Sequence, residues 1–291
     1  MARSSNGFAM SRQERRVAIV TGASRGLGAH ITMALAVAGV DVLMVGRDRA
    51  ALARVAGLAK GAAKLHPLVC ELEASDAVDT IISAVSDLGG ADILINNAAI
   101  QGPIGPVWEI DFAAFERTIQ LDFLLPVALS RAVVPAMLAR GAGWIVNISG
   151  GGATAPRPMF SAYGAAKTAL VRFAETLAAE TADKGVRVNS IAPGAFASGM
   201  TQDIIGVGQA AGAAELANAE RLLTDRDDTA AQKTAELVAY LVTGPGRSVT
   251  GKLISTLWDP WSEMHQHWND ISGNDVYTLR RIVPADRKLA W

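Results

Sequence analysis

The feature that most limits how this chain can fold is an alternation running nearly its whole length. Seven short segments, Val17–Val20, Val40–Val45, Leu65–Cys70, Ile93–Ile95, Trp144–Ile148, Val186–Ile191 and Lys252–Thr256, are rich in Val, Ile and Leu. Their apolar residues are consecutive rather than alternate, as in strands covered on both faces. Between them lie Ala- and Leu-rich stretches of helical length: Leu27–Ala38, Arg49–Lys60, Asp76–Leu88, Phe112–Ala139, Phe160–Asp183 and Ala230–Val242. Strand then helix, repeated, predicts an α/β chain with a mostly parallel sheet and helices on both faces. Such sheets bind ligands beyond the carboxyl ends of their strands. The chemistry is therefore expected in the turns after strands one, two, four, five and six.

The alternation predicts a single domain over residues 16–257. Residues 1–15 read as a flexible polar arm. Gly199–Asp228 is compatible with helix but interrupted by Gly206, Gly208 and Gly212, and is expected to be a mobile lid on the substrate side. The extension from Trp258 to Trp291 holds four of the six tryptophans. It is expected to pack on the substrate mouth or on another subunit, since a tail left in solvent would expose too much apolar surface.

Composition excludes several function classes. With 27 Lys+Arg against 28 Asp+Glu, the chain is neither a polybasic nucleic-acid binder nor an acidic solvating segment. Half the residues are hydrophobic and 19% are charged, which excludes a disordered chain. No uninterrupted apolar run reaches the ~18 residues a bilayer span needs, so no membrane partner is expected. The first residues carry arginines with no apolar core behind them, unlike a secretory leader. The one cysteine, Cys70, can form no intrachain disulfide. A cytoplasmic location is expected.

Thr21-Gly22-Ala23-Ser24-Arg25-Gly26-Leu27-Gly28 follows the first strand and opens the first helix. Glycine permits a tight turn and close backbone approach, and a helix N-terminus offers unpaired N–H groups to an anion. In that setting the turn predicts dinucleotide binding; without it, a glycine cluster is merely a turn. The second strand ends Val45-Gly46-Arg47, with no carboxylate in the slot where an acidic residue accepts the ribose 2′-hydroxyl of NAD. Arg47 and Arg25 suit a 2′-phosphate, which points to NADP(H). If Asp48 and Arg47 instead form a solvated surface pair, NAD(H) is the alternative. Farther along, Tyr163 and Lys167 lie four residues apart on a predicted helix and share a face. A free phenol has a pKa of about 10; a nearby ammonium and an oxidised nicotinamide favour its ionised form and fit it for acid–base work.

Taken together, Thr21–Gly28, Asp92 with Asn96-Asn97-Ala98-Ala99, Tyr163 with Lys167, and Pro193-Gly194 resemble the motif series of the short-chain dehydrogenase/reductase family, from about Val17 to Thr256. The resemblance implies a Rossmann-type doubly wound, seven-stranded sheet, a homodimer or homotetramer, and hydride transfer between nicotinamide and a small-molecule carbonyl or secondary alcohol. It implies that Tyr163 is the acid/base, that Asn97 lies along the cofactor and that Lys167 holds the nicotinamide ribose. It further implies that backbone near Pro193 and Phe196, with Ser198 where the family often has threonine, fixes the carboxamide. Glu71-Leu72 stands where the family often has Asp-Val or Asp-Leu against the adenine.

Two positions depart from that pattern. The family usually has a serine thirteen residues before the tyrosine, and here that residue is Gly150. Loss of such a donor costs about 10²–10³ in rate. Ser149 can substitute if the loop turns it inward, with Ser161 a weaker candidate; otherwise Ser149 is an ordinary strand-end serine bonded to backbone. Asp122 stands where the family has an asparagine that helps hold a relay water. Ionised, it would stabilise the Lys167 ammonium and repel a Tyr163 phenolate; otherwise it caps or pairs locally. These departures motivate one alternative, a nucleotide-binding partner or sensor with impaired catalysis; another keeps an enzyme but changes the reaction, to an epimerase or dehydratase that recycles its nicotinamide.

The remaining candidates are weaker. His265 and His267 diverge on a helix and no carboxylate or cysteine set completes a metal site, so no metal is expected. His30 and His66 are isolated. Gln101–Pro106 lines the cleft or merely connects. Trp108, Phe160 and the tail tryptophans suit a bulky or aromatic substrate, or a subunit interface.

Overall fold

The computed structural model describes residues 15–59, 61–225 and 227–289. Of the arm expected over residues 1–15, residues 1–14 lie outside the described residues, as does Trp291. Seven strands, β1 (Val17–Thr21), β2 (Asp41–Gly46), β3 (Leu65–Val69), β4 (Ile93–Asn96), β5 (Gly143–Ile148), β6 (Val186–Ala192) and β7 (Leu253–Ser255), form one sheet in the order β3-β2-β1-β4-β5-β6-β7. Every pairing is parallel. The winding reverses between β1 and β4, which opens a crevice at the carboxyl ends of the central strands.

Strand side chains divide between two cores as the period of two requires. Ala18, Val20, Val42, Met44, Ile93, Ile95, Val146 and Ile148 join the core under α1 (Gly26–Val37) and α9 (Thr229–Val242). Val17, Ile19, Leu43, Val45, Leu94, Ile145 and Val188 face α3 (Ala77–Asp87), α5 (Leu125–Arg140) and α6 (Ser161–Glu180). At the base of the sheet Asp92 accepts the Val17 N–H at 2.8 Å, so this member of the motif series is a strand clamp. Asp48 caps α2 (Arg49–Leu58) by accepting the Ala51 N–H at 2.9 Å.

The single helix expected over Phe112–Ala139 is interrupted. Helix α4 (Phe112–Ile119) passes into one π-helical turn, Gln120–Leu124, before α5, and the Leu125 N–H reaches back to the Gln120 carbonyl. This 29-residue run is long and apolar enough to cross a membrane by length and composition, with 44% of its most apolar window buried in the protein. Leu121, Leu125, Leu129, Val133 and Met137 belong to the second core. The π turn carries Asp122 into that buried side, a use of irregular helix common at functional sites.

The stretch after β6 forms two helices, α7 (Gly199–Val207) and α8 (Ala213–Asp225), joined by a short 3₁₀ turn flanked by Gly208 and Gly212. Ile204, Ala211 and Ala219 pack with Phe160 in a third small core. The C-terminal extension folds back on its own chain. Trp261 stacks edge-on against Tyr240 of α9 at 5.6 Å, and Trp268 packs on the first core. The Lys252 ammonium donates to the Asn274 and Val276 carbonyls at 2.9 Å each, and the Leu253 N–H donates to the Tyr277 carbonyl at 2.7 Å. Trp258 remains 84% exposed.

Candidate active site

The dinucleotide turn is built at the carboxyl end of β1. Gly22 has φ +67°, a conformation only glycine adopts without strain. A Cβ on Gly28 would run into the Gly22 carbonyl and lie 2.7 Å from Asn97 Nδ2, so the first turn of α1 closes tightly under the loop. A Cβ on Gly26 would meet nothing within 4 Å. Helix α1 has neither a side-chain cap nor an acidic residue in its first turn. Its leading N–H groups are therefore offered to an anion rather than to the protein. These features fit a dinucleotide phosphate. Leu27 is buried in the first core and anchors the helix start. Ser24 lies against Gly46 at the end of β2, since a Cβ on Gly46 would fall 3.5 Å from Ser24 Oγ.

Asn97 continues the floor. Its Nδ2 donates to the Thr21 carbonyl at 2.8 Å, and its backbone N–H and that of Ala98 both donate to Thr21 Oγ1 at 3.0 Å. These bonds lock the turn after β4 to the end of β1. Glu71 is exposed after β3, and the half-buried Leu72 packs on the second core. Beyond β6, the buried Pro193 offers its carbonyl to Thr234 Oγ1 at 3.2 Å. Phe196 offers its carbonyl to Thr201 Oγ1 at 3.1 Å, and Ser198 caps α7 in a reciprocal arrangement with Thr201.

The two arginines expected to form one phosphate grip stand apart in their surroundings. Arg47 is exposed and forms no ion pair within 4 Å among the described residues. Arg25 instead lies against the start of α7, its Nη2 3.3 Å from where a Gly199 Cβ would be. The surface pair considered for Asp48 with Arg47 is not formed; the Asp48 carboxylate serves the α2 cap.

Tyr163 and Lys167 share one face of α6, with the Lys167 Nζ 5.5 Å from the Tyr163 ring centroid. Lys167 Nζ donates to the Ile148 carbonyl at 3.2 Å at the end of β5. Asp122 Oδ1 accepts the Ile100 N–H at 2.9 Å, and its Oδ2 lies 3.6 Å from Lys167 Nζ. Asp122 is completely buried and Lys167 nearly so. The Asp122 carboxylate thus holds the loop after β4 and faces the lysine. Burial pushes the Asp122 carboxyl above the usual range, against the Lys167 charge, which pulls it down. Burial also raises Tyr163 well above an ordinary phenol, Asp122 raises it further and Arg157 lowers it. Ser149, at the end of β5, and Ser161, at the start of α6, each have a buried hydroxyl with no partner among the described residues.

Sequence reasoning missed Arg157 and Glu215. The Arg157 guanidinium lies 3.8 Å from the Phe160 ring centroid and 6.0 Å from that of Tyr163. It pairs with both carboxylate oxygens of Glu215 on α8 at 2.7 Å. This fork ties the loop after β5 to the paired helices α7 and α8. Arg157 is the only charged residue between Ser149 and Phe160, a signal that could have drawn attention to it. Phe160 is fully buried against α7 and α8, and Trp108 is 81% exposed. The tail tryptophans described above pack on α9 or face solvent.

Residues 16–206 match the family model for short chain dehydrogenases. The chain is 34% identical over 181 residues to the human Dehydrogenase/reductase SDR family member 4, a match covering 62% of this chain and 65%, just under two thirds, of that relative's length. It is 37% identical over 186 residues to galactitol 2-dehydrogenase (L-tagatose-forming) of Cereibacter sphaeroides, covering 63% and 72%. Among solved structures, NAD+-bound xylitol dehydrogenase superposes with a TM-score of 0.73 at 25% identity, covering 82% of this chain and 96% of that one. A single-residue variant of actinorhodin polyketide ketoreductase with NADPH gives 0.74 at 27%, covering 84% and 97%. With the motif residues assembled at one sheet edge and the family model matched over most of the sheet, the chain belongs to the short chain dehydrogenase family.

Proposed function

We propose that the protein is an NADP(H)-dependent oxidoreductase that interconverts a small carbonyl compound and its secondary alcohol, with Tyr163 as the acid/base. The observation that carries this reading is the buried Tyr163–Lys167–Asp122 group, brought by α6 and the π turn to the edge where α1 presents its bare N-terminus. Gly22, Ser24, Gly26 and Gly28 would take the dinucleotide phosphates, with Glu71 and Leu72 at the adenine and Asn97 along the crevice. Lys167 would hold the ribose, with backbone at Pro193, Phe196 and Ser198 at the carboxamide. When bound, the nicotinamide supplies or accepts the hydride.

The chain's own residues then manage the proton. In reduction Tyr163 Oη gives its proton to the carbonyl oxygen; in oxidation it takes one from the alcohol. Burial, with the Asp122 carboxylate adding to it, holds the Tyr163 phenol in its protonated form near neutrality, the form that carbonyl reduction requires. The unpartnered Ser149 hydroxyl supports a role as a second donor to the substrate oxygen. At the end of β2 the carboxylate is spent on a helix cap while Arg47 forms no ion pair within 4 Å among the described residues, which supports a 2′-phosphate. Exposed Val107, Trp108, Phe112 and Leu124 around α4 support self-association as a dimer or tetramer.

Incubation with NADPH and a panel of ketones and aldehydes tests the reading. It predicts one alcohol formed per NADPH consumed. Tight NADPH binding without turnover would favour a sensor, and product without net NADPH loss would favour an epimerase or dehydratase.

A further inference from the structure

The residue that stands in place of the family's serine is explained by its surroundings. Gly150 does not have the left-handed backbone that calls for glycine. The space beside it does: a Cβ there would meet Tyr163 Oη far inside contact distance and lie 2.9 Å from Cε1 and Cζ. Comfortable contacts lie at ~3.5–4.0 Å. Neither partner yields easily. The backbone flanking Gly150 is pinned by the Ser149 N–H bonded to the Ile191 carbonyl at 2.8 Å, and by the Ala153 N–H bonded to the Gly150 carbonyl at 3.3 Å. Tyr163 is 7% exposed on a twenty-residue helix, with Arg157 and Lys167 beside its ring.

We infer that Gly150 is a positioning residue: its missing side chain lets the Tyr163 phenol occupy the room a serine would fill, so a serine restored at 150 displaces the tyrosine instead of adding a donor. This accounts for the glycine without invoking lost function. It also turns the usual expectation around, because the substitution that brings the chain nearer the family pattern should harm it. The kinetic consequence rests on the proposed role of Tyr163, while the steric one does not.

A double-mutant cycle on thermal stability separates the two. Gly150→Ala and Gly150→Ser should each lower Tm by about 5 °C in the wild-type background. Neither should lower it further in a Tyr163→Ala background, where the ring is gone. If Gly150→Ala alone fails to fold, recovery of folding in the double variant supports the same steric cause. For a ketone that the wild type reduces, Gly150→Ser should lower kcat by about tenfold or more while KM and the NADPH Kd change by less than about twofold. An equal Tm loss in both backgrounds, no loss in either, or undiminished kcat in Gly150→Ser would overturn the proposal. A wild type without turnover would defeat the catalytic reading and leave the stability cycle to decide Gly150.

Discussion

The two ends of the crevice reach their geometry by different means. At the dinucleotide end the work is done by backbone: a left-handed Gly22, a carbonyl pressed against Gly28, and bare N–H groups at the start of α1. At the catalytic end it is done by side chains from well-separated segments: Asp122 from a π turn, Tyr163 and Lys167 from α6, and Arg157 from the preceding loop held by Glu215 of α8. Backbone geometry tolerates little substitution, and the glycines of the turn after β1 are all in place. Side-chain geometry can be rebalanced, and the two departures, Gly150 and Asp122, both fall on that side.

This contrast breaks first if the dinucleotide end proves soft. Gly28→Ala drives a methyl into backbone, and isothermal titration should show NADPH binding weakened by about 100-fold or more; a near-normal Kd would mean the turn is not rigid. The catalytic end should respond by charge. Asp122→Asn removes the carboxylate that helps raise Tyr163, so the Tyr163 titration should move toward acid. The chain has three tyrosines, so ¹³Cζ tyrosine NMR can follow each phenol without a substrate. An unmoved Tyr163 resonance would show that the buried carboxylate does not reach the phenol.

Smaller effects sharpen the boundary between the two ends. Arg47→Ala should weaken NADPH by about tenfold and leave NADH unchanged, if this exposed cation meets the 2′-phosphate. Equal loss for both nucleotides would remove it from that role. Glu215→Gln should cost about 1 kcal/mol at neutral pH by releasing Arg157. The Arg157 hydrogen bonds hold the Glu215 carboxyl below its ordinary range. Its stabilisation is thus complete above the unfolded carboxyl pKa and lost as pH falls through the depressed folded value. The stability gap between wild type and variant should therefore close in acid and stay constant above about pH 5.

The same contrast decides what is legible in the chain itself. The strand–helix alternation and the glycine turn are local, and a turn's φ demands are written in the residues that make it. Tyr163 and Lys167 are legible because four residues make one helical turn. Asp122 stands out as a departure, but its approach to Lys167 depends on a π turn that periodicity does not reveal. Arg157 and Glu215 are 58 residues apart, and only the packing of α8 over the loop brings them together. The tail's contacts within its own chain are not legible because its partners, Tyr240 and Lys252, look like the interior of a helix and a strand. Trp261 packs on the chain's own α9, and both Trp261 and Trp268 pack on the first core.

The central claim is that the Tyr163 hydroxyl carries the proton of the reaction. Tyr163→Phe removes that one oxygen, so NADPH-linked turnover of a ketone that the wild type reduces should fall by about 10³-fold or more with the NADPH Kd unchanged. Turnover that survives the substitution would contradict the account.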